Sequence, residues 1–367
     1  MSDGTQDQRE SGRSATRREW LRHLAAAAGG TFGVPVSSAF AWPLAPFRRT
    51  TTTGSDEAID GRTNDAIERG LAWLVARQND DGSFGDGDYA RNTGVCAIAG
   101  IAFAAEGSFP DRGRFGRPLR RTVEFLLSQA DATGLISNPQ FRSRGPMYEH
   151  GFATLLMAEL LGNCRVPGLR ETLQRAVRTI LDSQNDEGGW RYQPVRDDAD
   201  VSVTVAQVMA LRAARNAGLF VPDETVTRAV DYLKRAQNPD GGYRYLSSEG
   251  ESAFPRSAAA IVALYNAGIS SGPEIDRGLT YLQGFPPRAE PGPLPSHFFY
   301  GHYYAAQAMW HAGGEAWRNW YPAIRDLLLD RQTESGRWDD LLSPIYATAM
   351  ATIILQIPND LLPILQR

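Results

Sequence analysis

Three carboxylates, Asp197, Asp198 and Asp200, stand directly before an apolar run that starts at Val201. Such a cluster suits proton donation if burial keeps one carboxyl protonated and a pair shares a proton. Asp200 is equally well placed to cap the helix that follows, and a helix N-terminus favours the carboxylate over the acid. Both readings stand at this point. His150 and His302 lie near the starts of similar runs, where acid, base or ligand chemistry competes with the role of a hydrogen-bonded core group. Tyr148, Tyr192, Tyr245, Tyr300, Tyr303, Tyr304 and Tyr346 offer ring faces that stabilise cations, or else pack a wide interior. Arg256 adds a positive charge, so these positions are the candidate catalytic and substrate-binding residues.

Residues so far apart in sequence meet only if a repeated element brings them together, and the chain does repeat. QNDDGSF begins at Gln78 and ends at Phe84, and QNDEGGW runs from Gln184 to Trp190. QNPDGGY spans Gln237 to Tyr243, and QTESGRW spans Gln332 to Trp338. Each follows an amphipathic helix pattern such as RGLAWLVARQ or RAVDYLKRAQ. A fifth copy ends at Gln129 with a degenerate turn, and a sixth carries Pro286 where the glutamine belongs, followed by the Pro-rich insert GFPPRAEPGPLPSH, a candidate lid. The six positions are spaced 46 to 55 residues apart. After each comes a segment apolar on most faces and rich in Ala, Gly, Ser and Thr, the signature of a helix buried on several sides. Six polar-faced and six apolar helices in alternation describe a closed double ring, outer and inner. The starts of the inner helices then share one mouth. Arg91, Asn92, Tyr148, Glu149, His150, the Asp197 to Asp200 cluster, Arg256, Tyr300, His302, Tyr303, Tyr304 and Tyr346 converge there.

The glutamine, the glycine four residues on and the aromatic two after that resemble the QW repeat of squalene-hopene cyclases, whose α/α-toroid superfamily also holds protein prenyltransferases. The resemblance covers nearly all of residues 62–367 and implies an all-α toroid. It assigns Gln78, Gln184, Gln237 and Gln332 to tying each turn to a neighbouring helix end, with Phe84, Trp190, Tyr243 and Trp338 stacking on it. The fasteners are expected to join outer helices to inner ones. Triterpene cyclases protonate their substrate with an Asp-x-Asp-Asp motif, whereas Asp197, Asp198, Ala199 and Asp200 reverse that spacing. They also use two helical domains where this chain has one. Prenyltransferases hold zinc through an Asp-x-Cys pair, and neither Cys96 nor Cys164 has an Asp two residues before it, so neither metal nor cofactor is expected.

The bulk composition excludes other classes. A net charge of -4 over 367 residues does not suit a nucleic-acid binder, and Lys234 is the only candidate for a Schiff base. Arg17 and Arg18, a weakly apolar stretch and a small-x-small ending at Ala41 read as a twin-arginine signal over residues 1–41. That implies export to the periplasm or cell envelope. Residues 42–61 read as a flexible lead-in, and 62–367 as one toroid of six two-helix repeats. No later stretch reaches the ~20 apolar residues of a spanning helix. Cys96 and Cys164 would lie roughly 15 to 20 Å apart along the inner helices, too far for a disulfide. The expected ligand is apolar, of isoprenoid type, and the expected chemistry is acid-initiated cyclisation or isomerisation from Asp198 or Asp200. A non-catalytic scaffold and a toroid hydrolase or lyase acting on glycans are the alternatives. No protein partner is identified.

Overall fold

The computed structural model describes residues 59–366 apart from 86, 142 and 289–291. The proposed signal of residues 1–41 and nearly all of the lead-in lie outside the described residues. Among the described residues, twelve α-helices follow in strict alternation. The outer set is α1 (Gly61–Val75), α3 (Gly116–Ser128), α5 (Leu169–Ser183), α7 (Asp223–Arg235), α9 (Pro273–Gln283) and α11 (Gly314–Arg331). The inner set is α2 (Thr93–Ala105), α4 (Pro146–Leu160), α6 (Val201–Asn216), α8 (Phe254–Asn266), α10 (Phe298–Ala312) and α12 (Pro344–Gln356).

Each set follows from its pattern. In α7 the buried residues are Thr225, Ala229, Val230, Tyr232 and Leu233, one stripe of a helix whose other faces are charged. In α2 every residue from Thr93 to Ala105 is buried, and the small side chains admit neighbours on all sides. Every inner helix packs on the next, and α12 packs back on α2. The outer ring closes likewise, α11 against α1. The double toroid is therefore closed, and Cys96 and Cys164 are free thiols.

Closure rests on the turns. Gln78 donates from Nε2 to the carbonyl of its own Gly82 and to Pro118 O at 2.9 Å in α3. Gln184 does the same to Gly188 and Thr225 of α7, and Gln237 to Gly241 and Glu274 of α9. Gln332 donates to Gly336 and, at 2.9 Å, to Ala66 O of α1, which ties the last turn to the first helix across 266 residues. The glutamine of the fastener thus joins one outer helix to the next outer helix, a second link beside the expected outer-to-inner one. Its glycine sits at positive φ because the next helix leaves no room. A Cβ on Gly188 (φ 96°) would stand 2.2 Å from Arg228 O, and one on Gly82 2.2 Å from Arg121 O. Such contacts exclude any side chain. In the degenerate second unit Gln129 reaches only the adjacent Ser128 Oγ, yet Gly134 still docks on Arg175, and Thr179 Oγ1 donates to Thr133 O at 2.8 Å.

The aromatic supplies the link to the inner ring. Its backbone N–H donates to a side chain in the first turns of the following inner helix. The acceptors are Cys96 for Phe84, Thr204 for Trp190, Ser257 for Tyr243 and Thr348 for Trp338. In the second unit Ile136 N–H donates at 3.1 Å to His150 Nδ1. Trp190 and Trp338 also donate from Nε1 to Ile180 O and Leu328 O of their own outer helices, at 2.7 and 2.8 Å.

Gln332→Ala should lower the urea unfolding free energy by about 1–3 kcal/mol, because it strands two carbonyls that carry the ring closure. Gln129→Ala should change it by less than about 0.5 kcal/mol. Equal effects of the two substitutions would refute the closing role of Gln332.

Candidate active site

The mouth formed by the inner-helix starts opens into a cavity of about 500 Å³. Val95, Ile98, Phe152 and Met350 give it an apolar lining. Tyr148, Tyr192, Tyr245, Tyr300 and Tyr346 line it together with Arg256, as the sequence reading placed them. Tyr303 and Tyr304 do not line it. They are buried in the core, ring against ring at 4.8 Å, with Tyr304 also edge-on to Tyr300 at 4.9 Å. Tyr89, Arg144 and Glu149 complete the wall.

Glu149 is nearly inaccessible and fully engaged. Asn92 Nδ2 donates to Oε1 at 3.0 Å, and Thr93 Oγ1 to Oε2 at 2.9 Å. Asn92 simultaneously caps α2 by accepting from Val95 N–H. Burial pushes the Glu149 carboxyl above its usual range, opposed by these hydrogen bonds.

The three aspartates separate. Asp197 contributes its carbonyl to Asn185 Nδ2. Asp198 is exposed and pairs with Arg191, so it does not share a proton with Asp200. Asp200 is completely buried. Its Oδ1 accepts from Val203 N–H at 2.9 Å, the cap geometry, while Oδ2 lies 3.5 Å from both Arg191 Nε and Tyr245 Oη. Burial raises this carboxyl to about 6, against the lowering effect of the cap and of Arg191. The Tyr245 and Tyr192 hydroxyls are hydrogen-bonded to each other, and the Arg191 guanidinium lies over both rings at 5.4 and 5.2 Å. Asp200 therefore meets the cavity through Tyr245 and Tyr192, which line it.

The histidines are elsewhere. His150 is buried between Ile136 N–H and Ala176 O, and burial lowers it to about 4. Neutral, it accepts at Nδ1 and donates from Nε2, so it serves the fold. His302 is also held neutral, lowered by burial to about 3, and packs against Phe254, Phe298 and Trp320. Neither lines the cavity.

Residues 153–324 match the model of the squalene-hopene cyclase C-terminal domain. A drimenyl diphosphate synthase from Streptantibioticus cattleyicolor is 32% identical over 204 residues, covering 53% of this chain and 34% of that enzyme. The chain thus spans about a third of the length of this relative. Among solved structures, the type II terpene cyclase MstE from Scytonema, in complex with geranylgeranyl dihydroxybenzoate as substrate, superposes with a TM-score of 0.60. It is 16% identical, and the match covers 82% of this chain and 98% of that one. An α-1,6-mannanase of Salegentibacter shares the ring at a TM-score of 0.58 and 10% identity, over 82% and 99% of the two chains. With the closed ring and its turn motif, these matches make residues 153–324 similar to the squalene-hopene cyclase C-terminal domain, and the chain carries a terpene-cyclase-like α/α toroid.

Proposed function

We propose that the mouth cavity binds an isoprenoid chain and that Asp200 starts its cyclisation or isomerisation by protonation. The observation that carries this reading is a completely buried carboxyl, raised by that burial to about 6, set behind two tyrosines that line a cavity with an apolar lining. The Asp200 O–H bond breaks as its proton moves to Tyr245 Oη; in the same step the Tyr245 hydroxyl proton moves to Tyr192 Oη, and the Tyr192 hydroxyl proton passes to an alkene carbon, whose π electrons form the new C–H bond. The cation left on the neighbouring carbon faces the rings of Tyr148, Tyr300 and Tyr346. Loss of a proton from the product cation returns the carboxyl to its starting state. The glycan-hydrolase reading gains the mannanase likeness, but the cavity offers one carboxyl in its wall, Glu149, which is already bound by Asn92 and Thr93. Export by the twin-arginine route with cleavage after Ala41 belongs to the same proposal. Sequencing the N-terminus of protein from the cell-envelope fraction tests it, and an intact Met1 would sink it.

Two results are expected of the site. Mass spectrometry of lipids retained by the purified protein should find an isoprenoid, and linear polyprenes should be converted by the parent protein but not by Asp200→Asn. The absence of both retention and turnover in the parent overturns the proposal.

Turnover should also rise as pH falls through about 6, since the carboxyl is the acid only when protonated. The sign for stability is the same. The folded carboxyl binds its proton more tightly than the unfolded one, whose ordinary value is 3.8. Its contribution to stability is therefore complete below about 4 and lost as pH rises through about 6. Urea unfolding between these limits should show that slope in the parent and lose it in Asp200→Asn. A pH-independent difference between the two proteins would show that Asp200 does not titrate there.

A further inference from the structure

Below the cavity, three buried polar atoms of α10 have no hydrogen-bond partner among the described residues: Tyr300 Oη, Tyr303 Oη and Gln307 Oε1. Their spacing, i, i+3 and i+7, puts them on one face of the helix. From the cavity wall at Tyr300 they descend about 10 Å toward the far end of the barrel. Gln307 Nε2 is spent on Tyr303 O at 3.0 Å, which leaves the amide oxygen as the unpaired end. The next polar group in that direction is a carboxyl that the reaction above does not use. Glu159, near the end of α4, is nearly inaccessible, and its charge bears on the Tyr303 hydroxyl. The inner helices pack in ring order, so α4 and α10 stand opposite each other across the barrel axis. At about 8–10 Å between neighbours, opposite helices of a six-membered ring are roughly 16–20 Å apart, and their side chains leave roughly 6–8 Å between them. That gap is too wide for a direct hydrogen bond and fits about one or two bridging waters. A lone unpaired polar atom in a core reads as the site of one structural water. A row of them facing a buried carboxyl makes a path. At its far end Leu362, Ile364 and Leu365 pack over the ring, and Ile364 N–H donates to Glu159 Oε2 at 3.4 Å. At its near end Ser202, two residues after Asp200, lies beside Tyr148 and Tyr300 in the cavity wall.

We propose that Tyr300, Tyr303, Gln307 and Glu159 bind a file of ordered water along the barrel axis, and that this file exchanges protons between the far end of the toroid and the cavity while the mouth is filled. The relay runs through the hydroxyls and the waters, and Gln307 holds the water in place. Each hydroxyl or water gives up one proton as it receives another, so a proton entering at Glu159 is matched by one leaving at Tyr300. The exchange role rests on the protonation reading above. An acid that recovers its proton from the product cation hands that same proton to the next substrate, unless a path to solvent replaces it first.

A crystal structure of the parent protein, at a resolution that shows ordered water, decides the site. Water within hydrogen-bonding distance of Tyr303 Oη, Gln307 Oε1 and the Glu159 carboxyl is expected, and dry apolar packing between them overturns the proposal. Melting curves give a second reading. Tyr303→Phe should leave the melting temperature unchanged or lower it, because a water-bound hydroxyl is satisfied, whereas a rise marks a dry hydroxyl and overturns the site. Proton traffic is read by turnover of a linear polyprene in D2O. The parent should place solvent deuterium in nearly every product. Gln307→Leu should lower the deuterium content at least about twofold, by recycling protium from one substrate to the next, with KM unchanged. Tyr303→Phe should act in the same direction and serves where Gln307→Leu does not fold. Equal deuterium in the parent and both variants overturns the proton route. No turnover by the parent overturns the protonation reading instead, and the crystallographic water then decides the site by itself.

Discussion

The contact on which the rest of the toroid depends is the docking of each turn glycine onto a backbone carbonyl of the next outer helix. Gly82, Gly188, Gly241 and Gly336 meet Arg121, Arg228, Arg277 and Arg69 in this way. The glutamine four residues before it completes the joint, since one amide group satisfies a carbonyl of its own turn and another of the neighbouring helix. Such a joint fixes both the spacing and the direction of successive units. Repeated around the ring, it leaves no freedom in where the inner helices begin, and all of them begin at one mouth. The same constraint that closes the fold therefore concentrates helix N-termini, capping side chains and polar loops in one place.

Asp200 shows what that concentration does to a single group. The cap draws the carboxyl toward its ionised form, and complete burial drives it the other way. Burial outweighs the cap and Arg191, which lies 3.5 Å away and also pairs with the exposed Asp198, so the carboxyl is raised to about 6. A guanidinium committed wholly to Asp200 would hold it ionised.

Much of this was legible in the sequence, because a period of about fifty residues is a property of the whole chain and survives local noise. The closed ring, the two helix sets, the shared mouth and most of the tyrosine wall follow from it. What stayed hidden depends on depth and on loops. Tyr300, Tyr303 and Tyr304 share one helix start, but Tyr303 and Tyr304 lie about a turn further along it, buried in the core, and only Tyr300 lines the cavity. Asp197 and Asp198 precede the helix in a loop whose path the period does not define. Tyr89 and Arg144 come from loops too. The role of His150 was concealed by chemistry, since Cys, His, Thr and Ser all fill one acceptor position and no shared residue type marks it.

The fifth unit departs from this scheme in a way that bears on the cavity. Pro286 stands where the fastening glutamine would be, and the start of α10 presents His302 at the register of the acceptor position. With no turn aromatic to supply an N–H, His302 Nδ1 has no hydrogen-bond partner among the described residues, and its ring is held by Phe254, Phe298 and Trp320 instead. Aromatic packing replaces the hydrogen-bonded joint. A tight turn docked on the next outer helix would hold the connection outside the mouth. Released from that joint, the insert ends at Ser296 and His297, both of which line the cavity. The unit that gave up its fastener thus adds its connecting loop to those of the other units at the candidate site.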